Sequence, residues 1–146
     1  MQKSDFQLDS HRIVRTDFSL NREFTIPKNM QVDLAGKTEV KSLSETSSMV
    51  IFSFSVYKNK PLEEVPFQID VVSEGIFSWD PTIPKEQLSN YLNYNAPSVL
   101  LSYIRSVISM ITAYAGLPTV MIPLINFYKP SRKEEEKVAP ASIQND

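Results

Sequence analysis

Cysteine is absent from this chain, and histidine and glycine are scarce. Among its 146 residues one is His and three are Gly. Without Cys the chain has no disulfide, no thiolate nucleophile and no thiolate metal site. The glycines, Gly36, Gly75 and Gly116, are too scattered to build a phosphate-binding loop or a dinucleotide-binding fingerprint. Many of the common enzyme classes are therefore excluded.

The polar residues that remain do not form a recognisable active site. The one histidine, His11, stands in a strand-like stretch, where a lone His is more often structural than catalytic. No G-x-S-x-G nucleophile elbow is present. Carboxylates such as Asp33 and Glu39 lie on predicted strands, where solvated charges are common. We therefore expect no enzyme activity, no cofactor and no metal site.

Charge and hydropathy argue against nucleic-acid and membrane partners. The net charge is −2 and the pI is about 5.5, whereas nucleic-acid binding leaves a basic stripe. The most apolar stretch, Val99–Ile125, is interrupted by Arg105, Gly116 and two prolines, while a membrane span takes about 20 consecutive apolar residues. The N-terminus shows no apolar signal-peptide core. We expect a cytoplasmic protein without membrane insertion.

The first half of the chain alternates apolar and polar residues, as half-buried strands do. Phe52, Phe54 and Val56, for example, oppose Ser53, Ser55 and Tyr57. Four strands are predicted, in Phe6–Leu20, Met30–Leu43, Ser47–Asn59 and Val65–Trp79. Their short links indicate antiparallel pairing, because parallel strands need long crossovers. Gly75 is interpreted as a bulge or bend.

Helical periodicity replaces this alternation after Trp79. Pro84 and the residues that follow it predict a short helix. A long helix is predicted to begin near Ala96 with Asn95 as its N-cap, and to end at Gly116. Its central apolar face comprises Leu100, Tyr103, Ile104, Val107, Ile111 and Tyr114, with Val99 and Met110 on one flank and Leu101 and Ile108 on the other.

The apolar arc of this helix is wider than the roughly 100° of an ordinary surface helix. Either another subunit or the chain's own Thr119–Phe127 segment must cover its flanks, and the sequence leaves both alternatives open. Opposite the arc runs a stripe of mostly small residues that would let another helix approach closely. We expect its members Ser102, Arg105, Ser109 and Thr112 to form an oligomer interface.

Two further segments differ from the predicted sheet and helix. Phe24, Ile26 and Met30 bracket Pro27 in a connection where apolar side chains are hard to bury, and exposed apolar groups there would indicate binding. The segment from Ser131 to Asp146 is charged and poor in aliphatic residues. We expect one domain, 1–130, followed by a disordered charged tail, 131–146.

Several motifs together resemble the SecB export-chaperone family. "EGIFSW" (Glu74–Trp79) ends the fourth predicted strand, and "VRTDFSL" (Val14–Leu20) is similar to the family's first strand. Asn95–Phe127 then gives N-A-P, a helix with Tyr-x-Arg, Gly-x-Pro, and Pro-x-x-Asn-Phe. The resemblance covers about Phe6 to Phe127, and the order and spacing of the motifs are more specific than any one of them.

The resemblance implies an α+β fold and a chaperone function. Family members have a four-stranded antiparallel sheet packed on a long C-terminal helix, and assemble as a dimer of dimers. They are ATP-independent holdases that bind unfolded precursor polypeptides in apolar grooves and pass them to SecA. Carried onto this chain, the client-binding residues are Phe24, Ile26, Met30, Ile125, Phe127 and Tyr128, and the SecA-docking residues are Asp17 and Asp70.

The chain also departs from the family pattern. Asn21 stands where the first-strand motif usually has a second acid, and Tyr128-Lys129-Pro130 interrupts the place of a further helix. These departures leave open a SecB-like chaperone of a toxin–antitoxin system, with an antitoxin as partner in place of preproteins and SecA. A small-ligand binding protein is a second alternative, which would require a closed pocket with convergent polar groups.

Overall fold

A computed structural model describes residues 1–27, 30–127 and 141–144. It contains seven strands and two α-helices in the described ranges: β1 (Phe6–Leu20), β2 (Gln31–Val32), β3 (Leu34–Ser44), β4 (Ser47–Val56), β5 (Phe67–Trp79), α1 (Lys85–Asn90), α2 (Ala96–Tyr114), β6 (Thr119–Val120) and β7 (Ala141–Gln144). A 3-10 turn, Leu62–Glu64, precedes β5. The predicted α+β class, with a four-stranded antiparallel sheet and one long helix, is confirmed.

The main sheet has the order β1-β5-β4-β3, with antiparallel neighbours throughout. Alternate residues of β4 and β5 are buried on one face, as the sequence pattern predicted. Because β1 and β3 lie at opposite edges, the chain must cross the end of the sheet between them. We call residues 21–30, which do this, the crossover connection.

The helix α2 packs on the buried face of β4 and β5. Leu100, Ile104 and Ile108 are fully buried there. Gly75 does not form the predicted bulge, since its pairing with β4 is continuous. A Cβ at Gly75 would lie 2.9 Å from Leu8 Cδ1 and 3.0 Å from Leu100 Cδ2. The glycine therefore allows the helix and β1 side chains to approach the sheet closely.

The start of the long helix differs from the prediction. Asn95 is helical and its side chain makes no capping hydrogen bond. Instead, a π-helical turn, Tyr91–Asn95, joins α1 to α2. Pro97 explains the wider turn, because proline lacks an N–H and clashes with the carbonyl four residues earlier in a regular α-helix.

The joined helix, Lys85–Tyr114, is long enough, and its most apolar stretch is apolar enough, to suit a membrane-crossing helix as well. Within the described residues, 39% of its most apolar window is buried. That buried part packs on β4 and β5. Core packing therefore accounts for much of its apolar composition.

The helix is rotated relative to the predicted apolar face. Tyr103 and Tyr114, placed at the centre of that face by the wheel, are exposed. Leu101 and Thr112 are instead buried. The rotation follows from the segment after the helix, residues 116–127, which packs along this side: Val120 is buried, and Ile122, Ile125 and Phe127 pack on the core.

The structure shows contacts for one of the two ways of covering the flanks of the long helix, namely coverage by the chain's own segment. Arg105 Nη2 donates a hydrogen bond to the Pro123 carbonyl, and the Phe127 ring meets the Phe52 ring edge-on at 5.5 Å. The chain's own segment therefore covers one flank. Val99 and Met110 on the other flank are exposed among the described residues.

A second, three-stranded sheet has the order β2-β7-β6. Its central strand, Ala141–Gln144, falls in the segment predicted to be disordered, so that prediction is wrong for these four residues. The composition of the segment indicates only how little apolar surface it can bury by itself. A strand can also be stabilised by backbone hydrogen bonds to the edges of other strands. Residues 128–140 and 145–146 lie outside the described residues, and the domain boundary at residue 130 stays a prediction.

Candidate functional site

The predicted client-binding residues lie on the crossover connection and on the segment after the helix. Phe24 is half-buried, and Ile26, Met30, Ile125 and Phe127 are partly buried against the core. Tyr128 lies outside the described residues. Ile26, Met30, Ile125 and Phe127 are thus supported by the core and remain only partly accessible.

The most accessible apolar side chains of the segment after the helix were not predicted. Leu124 is 88% exposed and Met121 is 52% exposed. Their neighbours Val120, Ile122 and Ile125 are buried or half-buried. Met121 and Leu124 are three positions apart with Pro123 between them, so the strict alternation of an extended chain does not account for both. No local pattern in "TVMIPLINF" singles out these two residues from their apolar neighbours.

Tyr57 positions β2 at the end of β4. Its backbone N–H donates to the Asp33 carbonyl at 2.8 Å, and its hydroxyl donates to the Gln31 carbonyl at 3.3 Å. Its φ of 60° is unusual for a residue other than glycine. Burial, and secondarily the Asp33 carboxylate, raises the pKa of Tyr57 to about 12. The hydroxyl therefore stays protonated and remains a donor to β2.

The two predicted docking acids are brought together on the outer face of the sheet. Asp17 and Asp70 are direct cross-strand partners in β1 and β5. Arg15 lies between them, with Nη2 at 2.6 Å from Asp70 Oδ2 and Nε at 3.2 Å from Asp17 Oδ2. Like charges directly opposite on a sheet are destabilising. Arg15 relieves that repulsion and also reduces the net negative charge of the pair.

Asn21, the residue that replaces a family acid, is engaged in the fold. Its Nδ2 donates to the carbonyls of Leu62 at 3.0 Å and Glu63 at 3.3 Å. Its Oδ1 accepts from the Glu23 N–H at 3.1 Å. The amide thus ties the crossover connection to the 3-10 turn. An ionised carboxylate cannot donate, so an acid at this position would lose the hydrogen bonds to the Leu62 and Glu63 carbonyls.

The predicted oligomer interface on α2 is divided by the rotation of the helix. Thr112 is 0% exposed, and its hydroxyl donates to the Ile108 carbonyl at 2.8 Å. It belongs to the core of the subunit, which corrects its place in the interface. Arg105 is half-buried beside Pro123. Ser102 and Ser109 are exposed, and their role as subunit contacts stays a prediction.

The exposed face of α2, as we call it, combines small and large residues. Its small members are Ser102, Ser106, Ser109 and Ala113, and its large members are Val99, Tyr103, Met110 and Tyr114. His11 stacks on Tyr103 with ring centroids 3.9 Å apart. His11 Nε2 also lies 2.8 Å from the Oγ of buried Ser73. Burial lowers the pKa of His11 below 6.5.

Within residues 1–27, 30–127 and 141–144 no group of three or more His, Cys, Asp or Glu side chains is arranged to hold a metal ion. Two recesses there, of about 280 and 300 Å³, are open to solvent. One is lined by Leu20 to Glu23, Leu62 and Glu63, and the other by residues at the two strand ends near Lys3 and Trp79. Neither encloses convergent polar groups of the kind that a small-ligand site requires.

Comparison with known proteins agrees with the sequence motifs. The family model described as "Preprotein translocase subunit SecB" matches residues 13–136. A "Protein-export protein SecB" from Psychrobacter arcticus is 29% identical over 136 residues, which are 90% of each chain. Another, from Psychrobacter cryohalolentis, is 31% identical over 125 residues, or 83% of this chain and 82% of that one.

A solved structure shows the same fold at lower sequence identity. It is a SecB-like chaperone from Mycobacterium tuberculosis, in complex with a ChAD peptide from the HigA1 antitoxin. The TM-score is 0.64 and the identity 19%, with 84% of this chain and 88% of that chain covered.

Proposed function

Since the chain belongs to the SecB family of chaperones, we propose that it is a cytoplasmic, ATP-independent holdase that binds unfolded polypeptides on the segment after the helix and the crossover connection. The observation that carries the proposal is the exposure of two apolar side chains, at 52% and 88%, on a segment whose other large apolar residues pack on the core. Val120 and Ile125 fix the segment to the core, while Met121 and Leu124 point away from it. Exposed apolar side chains grouped on a surface mark interaction sites, and apolar contacts are non-directional, which suits unfolded chains of varied sequence.

The assembly proposed for the holdase is a homotetramer, a dimer of dimers that uses the exposed face of α2. Val99, Tyr103, Met110 and Tyr114 would otherwise leave a long apolar strip in water. Such patches mark interaction sites. The adjacent small residues would let a second helix approach closely, since interaxial distances depend on the side chains at the contact.

The clients we propose are precursor polypeptides, delivered to SecA through the outer-face acids Asp17 and Asp70. A toxin–antitoxin role is the second candidate, with an antitoxin as client. Arg15 favours it, because its ion pairs with both acids weaken the negative patch that SecA docking would use. Co-purification of SecA with the chain, compared between the unmodified protein and Asp17→Asn, separates the two roles.

Suppression of aggregation of an unfolded test protein, without nucleotide, tests the holdase proposal. Full burial of one Leu or Met side chain contributes about 1.5–3 kcal/mol, so Met121→Ser with Leu124→Ser should weaken apparent client affinity about tenfold or more. Leu43→Ser is the matched control, because Leu43 is also exposed, at 51%, but lies at the end of β3. Equal loss of holding activity in both variants, or none in either, would contradict the proposed surface.

A further inference from the structure

The strand β7 is paired along both of its edges. On one side Ser142 and Ala141 face Gln31 and Val32 of β2. On the other side Gln144 and Ile143 face Thr119 and Val120 of β6. Both pairings are antiparallel.

The flanking strands β2 and β6 each pair with β7, which lies between them. In the order β2-β7-β6, neighbouring strands stand about 4.8 Å apart. The distance from β2 to β6 is then about two such spacings, roughly 9.6 Å, which admits one extended backbone. Each flanking strand has two residues, so without an occupant both would present unpaired backbone groups.

The flanking strands also contact elements other than β7, since β6 packs on α2 and β2 is hydrogen-bonded to Tyr57. Val32 and Val120 are buried in the core, and the Tyr57 hydroxyl donates to the Gln31 carbonyl. The slot is therefore part of the main fold, whereas β7 joins it through backbone ladders of two residue pairs on each side. Each hydrogen bond of such a ladder contributes little net free energy in water, so another strand can replace β7.

We propose that the gap between β2 and β6 is a strand-binding slot for an extended polypeptide, and that β7 of the same chain occupies it as a competitor of the client. Backbone pairing on both sides would accept any extended segment without proline, which suits a protein that holds unfolded chains. The inference rests on the proposed holdase function. The apparent client affinity is then the intrinsic affinity multiplied by the fraction of chains in which the slot is free.

Removal of the backbone donors of β7 tests the inference. Ser142→Pro with Ile143→Pro deletes one N–H opposite β2 and one opposite β6. Ser142→Ala with Ile143→Val keeps both N–H groups and is the matched control. The probe is a fluorescein-labelled synthetic peptide of residues 137–146, added in trans and followed by anisotropy. If β7 fills the slot about nine-tenths of the time, the proline variant should bind the peptide about tenfold more tightly than the control.

Equal peptide binding by the two variants would overturn the inference, as would loss of the fold in the proline variant alone, which would make β7 a structural strand. Hydrogen exchange on the unmodified chain gives an independent measurement. Saturation with reduced, carboxymethylated α-lactalbumin should expose the amides of residues 141–144 while those of β2 and β6 stay protected. Continued protection of β7 under saturation would also overturn it.

The failure of the inference can be told apart from the failure of the proposed function. A chain that suppresses aggregation while neither variant captures the peptide keeps its holdase role and has no slot. A proline variant that captures the peptide, in a protein that never suppresses aggregation, supports the slot and refutes the holdase role.

Discussion

Asn21 shows how a single side chain fixes the crossover connection. Its amide donates to two carbonyls of the 3-10 turn and accepts one backbone N–H. In the sequence, Asn21 is noticeable only because the family motif usually has an acidic residue at this position. Its partners, Leu62 and Glu63, are about 40 positions away and unremarkable by themselves.

We expect Asn21→Asp to lower the free energy of unfolding by about 1–3 kcal/mol, because two donors are lost and a carboxylate is placed against carbonyl oxygens. Urea unfolding followed by circular dichroism measures the change. Asn95→Asp is the control, since Asn95 is exposed and its side chain makes no capping bond. A cost as small as that of the control would mean that the Asn21 contacts are not significant for stability.

His11 gives the stability of the chain a pH dependence. Its pKa is lowered from 6.5 by burial, so the folded state prefers the neutral ring. The contribution of this group is therefore complete above about pH 6.5 and declines as the pH falls through the lowered folded-state pKa. Unfolding free energies measured between about pH 7.5 and 5.5 should decrease on acidification, and His11→Gln should flatten this slope. An unchanged slope in His11→Gln would assign the effect to other groups.

The packing of elements depends on glycine at one place, where α2 crosses β5. Gly75 is paired regularly with Val50 of β4, and the space above it is taken by Leu8 and Leu100. The bulges of this region belong to β1 instead, at Leu8/Ser10 and Ile13/Arg15. Gly75 therefore allows α2 to pack closely on the sheet, and it does not introduce a bulge into β5.

Replacement of Gly75 by Ala should destabilise the fold by about 1–3 kcal/mol, the usual cost of an overpacked core. The new Cβ would come within 2.9 Å of Leu8 Cδ1 and 3.0 Å of both Leu100 Cδ2 and Phe77 Cε2. Gly36→Ala is the comparison, since its nearest contact is a single ring, that of Phe52 at 3.1 Å, at an exposed edge strand. Thermal unfolding of both variants ranks the costs, and an equal or larger cost at Gly36 would contradict this account.

At the scale of the whole molecule, the exposed face of α2 is an apolar surface that the described part of the chain leaves accessible. Leu101 and Thr112 are buried, whereas Met110 and Tyr114 remain 52% and 87% exposed. The predicted interface stripe is thereby divided: Thr112 belongs to the subunit core, while Ser102 and Ser109 border the uncovered strip.

Met110→Glu should dissociate the proposed tetramer into dimers or monomers, because an unpaired buried charge costs several kcal/mol. Light scattering of the purified protein gives the mass, and circular dichroism checks that the subunit stays folded. Leu43→Glu, at a similarly exposed position on β3, is the control and should leave the mass unchanged. A tetramer that survives Met110→Glu would move the interface away from this face.

Local signals along the chain were enough to predict the strands of the main sheet and the long helix. The alternation around Phe52 and Phe67 predicted the buried strands, and the apolar periodicity from Leu100 with Gly116 beyond it predicted the long helix and its end. Side-chain periodicity and turn chemistry act over a few residues, so they can be read without knowing the rest of the chain. The family motifs added the architecture, because their order along the chain is also a property of sequence.

Features that join residues distant in the chain could not be predicted and depend on long-range packing. The rotation of α2 depends on residues 116–127 packing beside it, and the placing of β7 depends on backbone edges more than 20 positions away. The partial neutralisation of Asp17 and Asp70 by Arg15 required their register in the sheet. Such contacts arise where long-range packing selects among several locally acceptable arrangements, and no local pattern of residues encodes that selection.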